Sequence, residues 1–288
     1  MNCHAVLLLS WLLLGTLAGI RGHGRLLEPP GRSSAWRFNF PVPHNTMDHQ
    51  LNCKGYGHQY QQIGGRCGVC GDPYEGPYEN EAGGKYARGI IVQNYTQGQR
   101  IRVTIEITVN HGGYSEFRIC PNNDVTKRVT QDCMDHYLLM TPFGETRYMH
   151  APNGDPAGLG EKHIDLLLPP GLTCTQCVLQ WIWTGDSNNN CWLNSTCCTE
   201  VGCGPQEHFY GCADVSVRSS VQPWAPQPTL LLNMTSQVGT SGPACIASEM
   251  ARNMVGQPRA DELCQRACSG PGSVCPVYFC ADSCRRTF

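Results

Sequence analysis

The chain has 288 residues, with 21 Lys and Arg against 23 Asp and Glu and a net charge of −2. Near-neutral charge and modest Lys and Arg content exclude nucleic acid as the expected partner, and no long charged run marks a membrane-surface tail. A substrate, if there is one, is expected to be uncharged.

Residues 5–20 form an apolar run of Leu, Ala, Val and Gly, followed by Arg21 and Gly22. Its length and its place at the N-terminus read as a signal peptide over residues 1–22 rather than a membrane span. Cleavage after Gly22 puts a small residue at the cut with Ile20 two positions earlier; a cut after Ala18 competes. Of 19 cysteines, Cys3 leaves with this segment, so an even number remains. In a secreted, extracellular chain that means disulfides, whose connectivity is left open by sequence. Cys67/Cys70 and Cys174/Cys177 are CxxC pairs, but the stretch between them is far longer than a zinc-ribbon loop. Sequons at Asn94, Asn194 and Asn233 make the chain an expected glycoprotein.

Residues 23–100 carry little patterning and are expected to be loop-rich, pinned by Cys53, Cys67 and Cys70. Ile101, Val103, Ile105, Ile107 and Val109 then alternate with polar residues, the period-two signature of a strand with one buried face. Residues 164–168, 178–183 and 209–217 are further strand candidates. In the last, Phe209, Gly211, Ala213, Val215 and Val217 share a face. Trp181 and Trp183 alternate in the manner of core residues. Gly64-Gly65, Asn153-Gly154 and Pro169-Pro170-Gly171 punctuate the strands. With no long amphipathic helix, the expected fold is all-β: an immunoglobulin/fibronectin-like sandwich with long, disulfide-pinned loops over residues 23–220.

Residues 221–244 are rich in Pro, Gln, Ser, Thr and Gly and read as a linker. Twelve cysteines lie from Cys53 to Cys212 and six from Cys245 to Cys284, so each side can close its own bridges. Residues 245–288 are expected to form a small cysteine-rich module, since so short a segment cannot build a core alone. Cys264/Cys268 and Cys280/Cys284 have helical-turn spacing. The module's role stays open among cap, protein contact and carbohydrate binding.

A chain trimmed to begin at His23 would offer two nitrogens from one residue, the freed α-amine and the imidazole. The amine's ordinary pKa, near ~8, lets a metal displace its proton at modest cost. One more imidazole would give three nitrogens around an open position, a donor set that favours copper among divalent first-row metals. His111 is the candidate, since it follows the best strand and precedes Gly112-Gly113, where a rigid scaffold ends in a turn. The other reading of His111 is a solvent-exposed turn histidine. His44, His49, His58, His136, His150, His163 and His208 lack metal-ligand spacing and read as surface or structural.

The chain resembles the lytic polysaccharide monooxygenases, most of all their animal branch, auxiliary activity family fifteen. The resemblance rests on His23-Gly24-Arg25-Leu26 with Pro29-Pro30-Gly31-Arg32 and Ser34-Ala35-Trp36; on Leu51-Asn52-Cys53; on Gly65-Arg66-Cys67-Gly68-Val69-Cys70-Gly71-Asp72; on Asn110-His111-Gly112-Gly113; and on Gly202-Cys203-Gly204-Pro205-Gln206-Glu207 leading to Cys212-Ala213-Asp214-Val215. Together these motifs span nearly all of the large unit. The resemblance implies one copper ion per chain, braced by His23 and His111, with an aromatic residue on the metal's axis. Phe209 takes that place if the strand phase is right, Tyr210 if it is off by one; a phenyl ring offers the metal no oxygen. Glu207, on the face of Phe209, would hydrogen-bond the oxygen co-substrate or be a solvated loop carboxylate.

The implied chemistry is redox. An external reductant and O2 or H2O2 act as co-substrates, hydrogen is taken from C1 or C4 of a sugar in insoluble chitin or cellulose, and the hydroxylated carbon expels its neighbour. Nothing marks the paired carboxylates of a hydrolase, nor the HExxH helix of a zinc enzyme. The partners expected are the polysaccharide and an electron donor, with no membrane and a monomeric chain. A noncatalytic secreted matrix or carbohydrate-binding protein would explain the disulfides equally well, but not a histidine at the cut together with His111.

Overall fold

A computed structural model describes residues 23–188 and 198–219, with Ala247, Arg252, residues 259–267 and Cys280. The expected signal segment, the linker, Trp192, the sequons at Asn194 and Asn233 and most of the six-cysteine module lie outside the described residues.

Among the described residues eight strands form two sheets: β1 (His23–Glu28), β2 (Gln93–Thr96), β3 (Arg100–Val109), β4 (Tyr114–Pro121), β5 (Tyr148–Met149), β6 (Gly160–Leu167), β7 (Cys174–Thr184) and β8 (His208–Arg218). One sheet has the order β1-β3-β6, all antiparallel; the other runs β2-β8-β7-β4-β5, antiparallel except where β2 joins β8. Their inner faces meet in a single core. Ile101, Val103, Ile105 and Ile107 of β3 and Ile164 and Leu166 of β6 lie against Phe117, Leu179, Trp181, Trp183, Phe209, Ala213 and Val215 of the other sheet. This is the expected all-β sandwich, in which alternate side chains of each sheet fill the space between layers.

Each expected strand is present. The alternation in β3 departs from expectation at two places. Thr104 is buried although it lies on the polar face, because its hydroxyl is covered by Glu28 Oε2 at 3.1 Å and His163 Nδ1 at 3.0 Å. Val109, expected on the buried face, is only half-buried, since it ends the strand opposite His23. Strands β1, β2, β4 and β5 were not legible. In β1 the inward positions include Gly24, where a Cβ would stand 3.0 Å from both Ile107 and Trp181, so the core itself removes the apolar side chain that would mark a strand.

Two helices are described beyond short turns. α1 (Gln131–His136) is capped by Thr130, whose hydroxyl accepts from Cys133 N. α2 (Arg259–Ala267) carries Cys264, which is bridged to Cys280. Among the described residues no helix is long and apolar enough to cross a membrane. The other bridges among the described residues are Cys53–Cys67, Cys70–Cys212, Cys120–Cys133, Cys174–Cys177 and Cys198–Cys203. Cys174 and Cys177 therefore pair with each other, whereas Cys67 and Cys70 each reach elsewhere.

The loops after β1 are tied to β8 by charge as well as by sulfur. Arg32 and Asp214 are both buried and form a two-pronged ion pair at 2.8 and 2.6 Å. Gln176 adds a hydrogen bond to the same carboxylate at 2.7 Å, and Arg32 also donates to the Asn80 carbonyl at 2.8 Å. Such a pair fixes geometry well, because either charge alone in this interior would be costly. Its effect is to hold the chain leaving β1 against the strand that carries Phe209.

Candidate metal centre

His23 opens β1 in register with Val109, two residues before His111. Thr108 donates to the His23 carbonyl at 3.3 Å. Beyond Val109 the chain turns through Gly112 and Gly113, at φ 63° and 78°. Only glycine fits the second, because a Cβ there would lie 1.9 Å from the Thr184 carbonyl oxygen. Asn110 fastens this turn to the loop that follows β5. Its amide nitrogen is shared among the carbonyls of Pro152, Ala151 and Asp155 at 2.8 to 3.2 Å, and its oxygen accepts from Gly112 N at 2.9 Å.

His111 is 3% exposed, which rules out the solvent-exposed turn histidine. Nδ1 lies 3.0 Å from Ser187 Oγ and 3.7 Å from Glu207 Oε2. Nδ1 is thus the ring nitrogen turned towards Ser187 and the Glu207 carboxylate. Glu207 is buried too, and one of its oxygens accepts from Asn52 Nδ2 at 2.9 Å. It is not a solvated loop carboxylate.

Phe209 sits on the same side. Its ring is fully buried, edge-on to His111 at 6.2 Å and packed on Trp183 at 4.9 Å. Trp183 in turn donates from Nε1 to the Gly112 carbonyl at 2.7 Å, bracing the turn from below. Tyr210 points to the opposite face, against Gly71, and lies outside the central core cluster. The strand phase placing Phe209 inward is therefore the one found.

His23 is half-buried at the rim. Its Nε2 meets the side-chain amide of Gln50, so Nδ1 is the ring nitrogen that can close a chelate with its own α-nitrogen. His49 stands edge-on to the same ring at 4.8 Å, held by the bond from Gly24 N to its carbonyl at 3.0 Å. Burial, and then the charge of Arg25, push its imidazole below the ordinary histidine range. Sequence reasoning classed His49 as surface or structural and passed over Gln50 and Ser187. No local pattern marks them, since each meets its partner only across the fold. Asn52 stood within a motif but had no role assigned.

Beside His111 lies an open cavity of about 540 Å³, lined by Lys54, Tyr56, His58, Asn153, Ser187 and Glu207 among others. Among the described residues no three His, Cys, Asp or Glu side chains form a metal-binding cluster. Two imidazoles and an α-amine would draw on only two side chains, fewer than such a cluster counts.

A sequence model of the family described as "Lytic polysaccharide mono-oxygenase, cellulose-degrading" matches residues 23–215. Among solved structures, the chain is similar to the AA15 lytic polysaccharide monooxygenase from Thermobia domestica in the Cu(I) state. The two share 43% identity over 68% of this chain and 99% of that one, with a TM-score of 0.62. A chitin-binding domain from Burkholderia pseudomallei also matches, at 14% identity over 68% of this chain and 100% of that one, with a TM-score of 0.41. Among curated proteins nothing matches.

Proposed function

We propose a metal site and a substrate for a chain that belongs to the lytic polysaccharide mono-oxygenase family. The chain is a copper-dependent enzyme that oxidises polysaccharide. His23 and His111 hold one copper ion, and the polysaccharide is insoluble chitin or cellulose outside the cell. The observation that carries this reading is the pairing of His23 with Val109, which brings the residue expected to become the N-terminus to the strand end that bears a buried His111.

When bound and reduced by an external donor, copper supplies the activation of O2 or H2O2 that removes hydrogen from C1 or C4 of a sugar. The residues around it do the rest. His23 contributes its α-amine and Nδ1 once residues 1–22 are removed, and His111 contributes Nε2. Phe209 would set a hydrocarbon edge beside His111, where a tyrosine would have brought a phenol oxygen. Glu207, anchored by Asn52, presents a carboxylate that can hold or pass a proton beside the open position. Burial of Phe209 and Trp183 keeps water from that side of His111 and would hold its imidazole in place for a metal.

The test uses secreted protein, loaded with copper and incubated with ascorbate and each insoluble polysaccharide in turn. Mass spectrometry is expected to find an N-terminus at His23, one Cu(II) per chain and oxidised oligosaccharides. His111→Ala is expected to lose tight copper and all oxidised product. Hydrolytic products alone, or undiminished oxidation in the variant, would end the proposal.

A further inference from the structure

The sandwich has a second large cavity, of about 760 Å³, at the end away from the metal centre. It is lined by Cys174 at the start of β7 and by Ser216 to Ser219 at the end of β8, whereas Glu207 and Thr184 mark the opposite ends of those strands. β8 spans 11 residues, which at about 3.3 Å each puts the two sites on the order of 30 Å apart. The wall is mixed: Ile91 is apolar, while Asn123, Thr173, Thr175 and Arg218 offer donors and acceptors. A lining that pairs apolar contact with a polar rim suits a sugar ring, which has apolar faces and a hydroxylated edge.

Asn94 is itself part of this wall. It lies on β2, the edge strand of its sheet, and with Thr96 it shares the exposed face opposite buried Tyr95. Asn94 and Thr96 are the first and third residues of a sequon, the pair that glycosylation requires. The side chain is oriented as well. Asn94 Oδ1 accepts from Ser216 Oγ at 2.5 Å, which turns the amide nitrogen away from β8, with no hydrogen bond to it among the described residues.

We propose that Asn94 Nδ2 carries an N-linked glycan whose first sugars lie in this cavity. They would cap the pole of the sandwich opposite the metal centre. In the attachment the anomeric carbon of a lipid-diphosphate-linked oligosaccharide bonds to Nδ2. The carbon–oxygen bond to the diphosphate breaks, the diphosphate keeps the electron pair, and the amide loses one proton. The placement would cover β2, the edge strand of its sheet, where another strand could otherwise pair, and keep bulk away from the face proposed to meet an insoluble substrate.

The test takes full-length protein secreted from a glycosylating host, beside the same protein treated with an amidase that removes N-glycans, and the variant Thr96→Ala. Peptide mass spectrometry is expected to find N-acetylhexosamine and hexose on Asn94 in the first sample and none in Thr96→Ala. Hydrogen exchange at residues 173–176 and 216–219 is expected to be roughly threefold slower or more with the glycan present than in either glycan-free sample. Unmodified Asn94 in secreted protein overturns the proposal, and so does a modified Asn94 with unchanged exchange in both segments. If Thr96→Ala is not secreted, the amidase-treated sample supplies the comparison.

Discussion

Ser187 Oγ stands 3.0 Å from Nδ1 of His111, across 76 residues of chain, and so helps hold the imidazole in place. Ser187→Ala removes the shorter of the two contacts on Nδ1 and leaves Glu207 at 3.7 Å. Copper affinity is expected to fall about tenfold, as when the outer partner of a ligating imidazole is lost. Ser187→Thr should restore it. Cu(II) titration followed by the quenching of tryptophan fluorescence reads the change, and the paramagnetic resonance spectrum of the variant should shift. An unaltered spectrum and affinity in Ser187→Ala would remove Ser187 from the site.

Arg32 and Asp214 test how far the metal centre depends on the frame behind it. Arg32→Ala strands a buried carboxylate with only Gln176 as partner. The expected loss is about 3 kcal/mol of unfolding free energy, measured by denaturant titration. The double variant Arg32→Ala/Asp214→Ala should lose less than the sum of the singles, since no charge is left unpaired. Strict additivity would mean that the pair is not coupled.

Gly113→Ala asks for a Cβ 1.9 Å from the Thr184 carbonyl at φ 78°. Neither the overlap nor the left-handed backbone can be relieved without moving β7. A loss of about 3 kcal/mol or more is expected, with copper affinity lowered as His111 shifts. Wild-type melting temperature in this variant would show that the turn is not held as described.

His150 links stability to pH. Its Nε2 lies 2.8 Å from Ser115 Oγ, which also accepts from Trp181 Nε1, and burial followed by the charge of Lys162 lowers its pKa from 6.5 to about 4. The unfolded chain therefore takes the proton more readily than the folded one between those values. Stability present above about pH 6.5 is lost as the pH falls towards 4, at up to about 1.4 kcal/mol per unit. Unfolding titrations of wild type and His150→Gln across pH 4 to 7 compare the slopes, and the variant's should be shallower. Equal slopes would assign the pH dependence to other groups.

How much of this was legible depended on whether the signal was local. Strand β3 announced itself because five apolar residues alternate over one exposed and one buried face. β4 did not, although Phe117 and Ile119 point inward, because Ser115 takes an inward place and spends its hydroxyl on His150 and Trp181. The phase of β8 could be read, and with it the inward place of Phe209, since the residues sharing that face are small or apolar. Whether Glu207 would be solvated could not be read, because its burial and its bond to Asn52 arise from a loop 155 residues away.

Taken alone, the amino-acid order determined the sandwich class and the even cysteines and singled out His23 and His111 as candidates, since periodicity, cysteine parity and a histidine behind an apolar run are properties of short stretches of chain. Folding decided the burial of His111 against Ser187 and Glu207, the placing of His49 and Gln50 beside His23, the bridges that Cys67 and Cys70 make, and the cavity that Asn94 helps to line. Each of these is a distance between residues remote in sequence, and such distances exist only once two twisted sheets have packed and the loops between them have been pulled into register.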